Sequence, residues 1–328
     1  MDSPHLRVLD ALRDNRSRWL HARDLALRLD VSQSQLEASL RSLTSDGCQI
    51  ESHPQLGYRL VSEPGRLVAS CLRPEQRTGG IPSEIIIEDS VESTMDSAWA
   101  LASQGAPHGT AIFAEEQSRG RGRMGRKWVG CRGKALTFSV ILRSEEEGDA
   151  GHLLVTVAAV AVAGAVRRAC GPAAQIKWPN DVVIRERKLG GVLLERRPAA
   201  ARDTWVLGIG INVNQTPEDF PPALVSHATS IRIECGSPAS REFLGRELLA
   251  ELGVWYGVFE RKDLNLVERS WTELSSTMGR RILIREGAKT YSGRVVGLSP
   301  LHGLLVQLAP GGLRTFRSEQ LSIQVLPD

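Results

Sequence analysis

Between Glu115 and Val129 the sequence EEQSRGRGRMGRKWV sets Arg119, Arg121, Arg123, Arg126 and Lys127 among Gly120, Gly122 and Gly125. The glycines let backbone NH groups approach a bound group closely, and the guanidinium and ammonium groups supply fixed positive charge. Such a segment suits capture of a phosphate or a carboxylate. The three glycines also have the spacing G-x-G-x-x-G of a dinucleotide-binding turn. That turn must open a helix whose N-terminus faces a pyrophosphate, whereas this one leads through WVGCRG into KALTFSVILR, which alternates as a strand does. A basic Gly/Arg segment that clings to RNA is the other alternative, and the apolar strands expected on either side argue against it.

A second stretch, IKWPND at Ile176 to Asp181, is followed by RKLGGVLLE at Arg187 to Glu195. Pro179 ends a strand and forces a turn, which sets Lys177, Asn180 and Asp181 at its mouth. An amide and a carboxylate beside a cationic loop suit Mg-ATP, with Asp181 holding the Mg2+ or orienting an incoming amine. An Asx turn accounts for the geometry but not for the lysine.

Taken in order, GRGRMGRKW, KWPND, KLGGVLLE and GIGINVN at Gly208 to Asn214 resemble the motifs of the biotin-protein ligases. The likeness extends to nearly the whole chain, and specifically to the bifunctional type that is both ligase and biotin-operon repressor. It implies an α+β multidomain chain. Its parts would be a winged helix-turn-helix domain over residues 1–65, a linker over 66–83, a mixed-sheet α/β ligase domain over 84–275 and an SH3-like β-barrel over 276–328. The ligase domain would be class II synthetase-like and shared with lipoate ligases.

The same resemblance assigns the site. Biotin would contact Ser93, Thr94, Met95, Gln117, Gly120, Arg121, Gly122, Arg123, Lys188 and Gly191, with the Ser93 and Thr94 hydroxyls on the ureido ring. ATP would contact Arg121, Trp128, Lys177, Asn180 and Asn212, with Trp128 as a platform for adenine. Arg123, Lys188 and Asp181 would carry the chemistry, and Asp181 would hold Mg2+. Met95 matches the less common variant of the family's Ser-Thr-Asn/Met motif, and Ser118 and Arg119 replace the small residues usual before the first glycine. By pattern alone, Ser93 and Thr94 read as an N-cap and Lys188 as a solvated hairpin lysine.

Those residues need elements to hold them. Strand IIIED should lead into a helix through Ala98 and Leu101, strand TAIFAEEQ should deliver Gln117, and strand WVLGIGINVN should bring Asn212 to the same face. A nearly all-apolar helix from Gly151 to Ala169 should lie buried as a scaffold. Two amphipathic helices follow Ser240, and short alternating strands parted by Gly-rich turns follow Met278.

Residues 1 to about 62 show three helical stripes: Leu6 to Leu12, Leu25 to Leu29, and Leu36 to Leu43 behind a Ser32 cap. A weakly alternating pair of strands turns near Pro54 to Gly57. This resembles a winged helix-turn-helix with Ser32 to Ser45 in the recognition position. The expected contacts to operator DNA are Ala22, Arg23, Ser32, Gln33, Ser34, Gln35 and Arg41, with Arg16, Arg18 and Arg28 near phosphates. Eight Arg and no Lys face eight Asp plus Glu here, so the unit lacks the positive footprint of most DNA binders. A helical packing or dimerisation module is the alternative.

The 328 residues suit two or three domains, and 41 Lys plus Arg against 38 Asp plus Glu imply no nucleic-acid or membrane partner by themselves. Five scattered cysteines without a C-x-x-C pair suggest neither disulfides nor zinc, and fit a reducing cytoplasm. No signal pattern opens the chain, and the apolar run Leu153 to Val166 is too short to cross a bilayer. The expected partners are a biotin carboxyl carrier domain of a carboxylase, operator DNA, and a second copy when the adenylate is bound. Lipoate or octanoate ligation, a non-catalytic biotin sensor, and a ligase with a vestigial N-terminal unit remain as alternatives.

Overall fold

A computed structural model describes residues 4–15, 18–62, 65–76, 78–144, 150–171, 173–198, 203–309, 311–317 and 321–326. The chain divides into two compact units, Met1–Glu75 and Gln76–Asp328.

The first unit begins with helices α1 (Pro4–Asp14), α2 (Ala22–Arg28) and α3 (Gln33–Ser45). An antiparallel pair follows, β1 (Gln49–His53) and β2 (Gly57–Ser62), and then the short α4 (Ala69–Leu72). The stripes seen in the sequence are its core: Val8, Leu9, Leu12, Leu25, Leu36, Leu40, Leu43 and Leu60 are buried together. α4 adds Cys71 to that cluster, so residues from within the expected linker pack on this unit. α2 and α3 are joined by residues 29–32, and Ser32 caps α3 through a capping box with Gln35.

The second unit is built on a seven-stranded mixed sheet in the order β3-β4-β5-β9-β8-β7-β6. The strands are β3 (Ile85–Val91), β4 (Ala111–Gln117), β5 (Ala135–Ser144), β6 (Gln175–Lys177), β7 (Asp181–Ile184), β8 (Arg187–Arg197) and β9 (Asp203–Asn212). Only β3 and β4 run parallel; the other neighbours are antiparallel. Every residue of β9 is buried, as a strand covered on both faces requires. Helix α5 (Thr94–Ser103) covers one face, where Met95, Ala98 and Trp99 pack on Ile112, Ile141 and Val206. Phe113 and Phe138 stack on the other, with ring centroids 4.6 Å apart.

Glu115 shares the Phe113 face. Its carboxylate meets Arg241, the first residue of helix α8 (Arg241–Glu260), in a two-pronged pair at 2.8 and 3.3 Å. Both side chains are about 5% exposed. This pair fixes the start of α8 against the strand that carries Gln117.

Helix α6 (Ala150–Cys170) packs along α8 and against β6, β7 and β8. At 21 residues it is long and apolar enough to span a membrane, contrary to the length expected from the apolar run alone. Yet 72% of its Gly151–Arg168 window is buried inside the fold, as befits a core helix. The short α7 (Ile231–Cys235) lies between β9 and α8, and α9 (Leu264–Leu274) follows α8.

The chain then forms a five-stranded antiparallel sheet in the order β13-β12-β11-β10-β14. Its strands are β10 (Arg281–Glu286), β11 (Lys289–Ser299), β12 (Gly303–Leu308), β13 (Leu313–Phe316) and β14 (Leu321–Val325). The segment entering it clamps β6: Ser276 N donates to Ile176 O at 3.0 Å, and Trp178 N donates to the buried Thr277 hydroxyl at 3.3 Å.

Removing one partner of a buried pair strands the other charge. Glu115→Ala should therefore cost about 3–5 kcal/mol in urea unfolding. The joint replacement of Glu115 by Leu and Arg241 by Met should cost far less; equal losses would show that the charges themselves are needed.

Candidate functional site

A cavity of about 470 Å³ opens over the β8 and β9 side of the large sheet. Its floor is glycine. A Cβ on Gly208 would lie 2.9 Å from Met95 Sδ, and one on Gly210 would lie 2.6 Å from the Trp128 ring. β9 can therefore bear no side chain at either place if Met95 and Trp128 are to rest on it.

One end of the cavity is polar and rigid. Ser93 caps α5, its hydroxyl accepting from Met95 N. The Thr94 amide and hydroxyl both donate to Gln117 Oε1, at 2.8 and 3.2 Å. Thr94 Oγ1 also lies 2.8 Å from the fully buried Ser139 hydroxyl. With its carbonyl oxygen held, Gln117 keeps its NH2 donors for a ligand.

The other end is cationic. The glycine loop folds back on itself as a small hairpin: Gly122 N donates to Arg126 O at 2.7 Å, and Trp128 N donates to Gly120 O at 2.9 Å. A single 3-10 turn, Arg123–Gly125, stands where a dinucleotide fold would start a helix, and Met124 adopts φ 56° there. Arg121, Arg123, Arg126, Lys127, Lys177 and Lys188 all line the wall.

Several of these charges are already engaged. Arg121 donates to both Asp96 oxygens at 2.7 and 2.6 Å and to Glu195 at 3.4 Å, and the Asp96 hydrogen bond foremost raises its pKa. Lys188 Nζ lies 2.5 Å from Asp181 Oδ1. Arg123 donates to Asn180 Oδ1 at 3.1 Å, and Asn180 Nδ2 donates to Val192 O at 2.6 Å. Lys177 has no ion-pair partner among the described residues.

Lys188 is held from above as well. Its amide donates to His227 O at 2.7 Å, and Thr229 N donates to its carbonyl at 2.9 Å, so the 221–230 segment lies along β8. Phe220, Leu224, His227 and Ala228 from that region close the wall, together with Ile323 of β14. Lys134 Nζ grips both Asp219 oxygens at 2.7 and 2.6 Å, which fastens the turn before Phe220 and holds the Asp219 carboxyl below its usual range.

Comparison with known proteins bears on what such a cavity serves. Residues 88–212 match the model of the biotin/lipoate A/B protein ligase family, a span containing every expected small-molecule contact from Ser93 to Asn212. The bifunctional ligase/repressor BirA of Bacillus spizizenii is 30% identical over 296 residues, covering 90% of this chain and 91% of that protein. The chain belongs to the biotin-protein ligase family. The BirA of Escherichia coli is 28% identical over 279 residues, 85% of each chain. Among solved structures, a biotin protein ligase from Aquifex aeolicus, in complex with biotin and ATP, superposes with a TM-score of 0.65 at 28% identity. It covers 74% of this chain and 99% of its own.

Of the residues assigned by resemblance to this ligase family, Ser93, Thr94, Met95, Gln117, Arg121, Gly122, Arg123, Trp128, Lys177, Asn180, Asp181, Lys188, Gly191 and Asn212 line the cavity. Gly120 does not. It is pressed between Gln117 and Trp128, where a Cβ would lie 2.8 Å from Trp128 O, so its place is to let the loop hairpin close. Asn212 reaches the wall with its amide occupied, donating to Thr229 O at 3.0 Å and accepting from Gln215 at 3.0 Å. Lys188 sits in strand β8 beyond the turn at Arg185 and Glu186.

Ser139 and Asp96 were not singled out from the sequence, and Glu195, Gly208 and Gly210 were quoted only within motifs, without these roles. Each acts through a partner distant along the chain, which no local pattern names.

In the N-terminal unit, the expected DNA contacts are unequal. Ser32, Gln33, Ser34, Gln35 and Arg41 are all exposed, but each is engaged locally. Ser32 and Gln35 form the capping box, Ser34 Oγ lies 2.9 Å from Ser32 Oγ, and Gln33 donates to Glu37 at 3.2 Å, which Arg41 also faces at 4.0 Å. Ala22 is half-buried against the core, and Arg23, Arg18 and Arg28 are exposed. Arg16 lies outside the described residues.

The floor gives a paired test. A Cβ on Gly190 would lie 2.6 Å from the backbone oxygen of Gly210, so Gly190→Ala should spread β8 from β9 and cost about 1–3 kcal/mol. Gly210→Ala meets a movable ring instead. It should cost less stability but shift the tryptophan fluorescence, and the shift should vanish in a Trp128→Phe background; the reverse order would contradict this packing.

Proposed function

We propose that this chain activates biotin with ATP as biotinyl-5'-adenylate and transfers the biotinyl group to a lysine of a biotin carboxyl carrier domain. The observation that carries it is the convergence, in one cavity, of a polar end built for a neutral ring amide and a cationic end built for two anions. The Ser93, Thr94 and Gln117 end offers fixed donors and acceptors to a ureido group. Met95 and the glycine floor border the space between the two ends, and the presence of Arg123 and Lys188 on the cationic wall supports their assignment to the carboxylate and the phosphate.

The chemistry needs no protein nucleophile. A biotin carboxylate oxygen attacks the α-phosphorus, the bond to the bridging oxygen breaks, and pyrophosphate leaves. The carrier lysine's amine then attacks the acyl carbon, an amide forms, AMP leaves, and the amine proton passes to solvent. Bringing two anions together is opposed by their repulsion, so cations placed before reaction supply the main stabilisation. Lys188 would exchange Asp181 for the incoming anions, which leaves Asp181 either to hold Mg2+ or to orient the amine.

Mg2+ accompanying ATP fits the donor set: Asp181 is a carboxylate on the wall beside the cations, and such ions are commonly held by one carboxylate plus substrate phosphates. It would neutralise phosphate charge. Trp128, resting on Gly210, offers its ring to adenine.

Residues 1–65 are read as a winged helix-turn-helix domain, 66–83 as a linker, 84–275 as the catalytic domain and 276–328 as an SH3-like barrel. The antiparallel order of β10 to β14 supports the last. With the adenylate bound, a cytoplasmic homodimer would present two α3 helices to operator DNA and repress biotin-synthesis genes. The exposed Gln33, Ser34 and Arg41 side chains support that role.

Incubation with ATP, Mg2+, a carrier domain and either biotin or lipoate should add a biotin-sized mass only. A lipoyl increment would move the protein to the sister activity, and none at all, with biotin bound, to a sensor. Arg123→Ala and Lys188→Ala should each slow adenylate formation roughly 10²-fold or more; turnover at the original rate would remove that residue from the mechanism. A gel shift with operator DNA should require the adenylate and weaken with Arg41→Ala. No shift at low salt would end the repressor assignment.

A further inference from the structure

We propose that His5, Asp46 and Cys71 form a binding site for a zinc-class divalent ion in the N-terminal unit, apart from the ligase cavity. His5 lies in the first turn of α1, Asp46 is the C-cap of α3, and Cys71 sits in α4. Their ligand atoms, a ring nitrogen, a carboxylate oxygen and the Sγ, lie within 4.8 Å of one another. His5 Nε2 and Asp46 Oδ2 are 3.9 Å apart. Tetrahedral zinc bonds of about 2.0–2.3 Å place ligand atoms roughly 3.3–3.8 Å apart, so a contraction of about 1 Å completes the set.

The chemistry of the donors selects the ion. A thiolate with an imidazole and a carboxylate suits a borderline-soft metal such as zinc and not magnesium or calcium. Three protein ligands leave a fourth position for water. Ser70 Oγ donates to Asp46 Oδ2 at 2.6 Å, which orients the carboxylate as outer-shell groups do. Cys71 is 4% exposed, while the His5 and Asp46 side chains are 15% and 24% exposed, so an ion can enter from their side. On binding, the Cys71 thiol releases its proton to solvent and the sulfur takes the metal bond.

Such an ion would join the start of α1, the end of α3 and α4 at a single point. It would fix the axis of α3 relative to the last element of this unit. No sequence pattern announces it, because the three ligands are far apart and none belongs to a paired motif.

The test uses the full-length protein with Co2+ as spectroscopic probe and Zn2+ as ligand. One Zn2+ per chain should survive desalting, and Co2+ should show thiolate charge-transfer absorption with tetrahedral visible bands. Cys71→Ser should abolish the charge-transfer band. His5→Ala, which leaves the buried thiol in place, should weaken Zn2+ binding at least tenfold without changing biotin ligation. Absence of uptake by the wild-type chain overturns the proposal, as does a charge-transfer band that persists in Cys71→Ser or zinc affinity unchanged in His5→Ala.

Discussion

Strand β9 runs through the middle of the large sheet with no residue exposed, and on its cavity side it offers backbone where other strands offer side chains. Gly208 admits Met95 and Gly210 admits Trp128. The depth of the cavity, the seat of the indole and the placement of α5 over the sheet follow from those absent methyl groups. The neighbouring strand obeys the same constraint, since Gly190 abuts the Gly210 carbonyl. Packing at native density leaves no slack for a side chain at these points.

On that floor the problem is electrostatic. Six cationic side chains on one wall would repel each other and drift outward unless something held them. Asp96 and Glu195 hold Arg121, Asp181 holds Lys188, and the Asn180 carbonyl orients Arg123. Pairs that are a third or more exposed add little to stability. Their effect is to hold the cations in place along the wall.

Four glycine-rich or charged motifs were legible in the sequence, because each packs its chemistry into a few consecutive residues. The helices and strands that carry them were legible from period alone: α1, α3, β4, β5 and β9 fall where the apolar spacing puts them. What escaped were contacts between residues far apart in the chain. Thr94 and Ser139 are 45 residues apart, Arg121 and Glu195 are 74, and Glu115 and Arg241 are 126. Capping chemistry adds a second role on the expected DNA face: the Gln35 side chain also serves a helix start that leaves NH groups unsatisfied. Gly120 was placed at the right loop, and the close approach of Trp128 O adds a packing reason for a glycine there.

The cavity wall draws on residues from Ser93 to Ile323, and among the described residues the strand bearing Ile323 pairs with β10 alone. A chain emerging from the ribosome therefore holds all its motif residues well before the wall is complete. The wall is complete only with β14 at the edge of its sheet beside β10. A change in β14 can therefore reach the cavity wall without touching any of the motif residues.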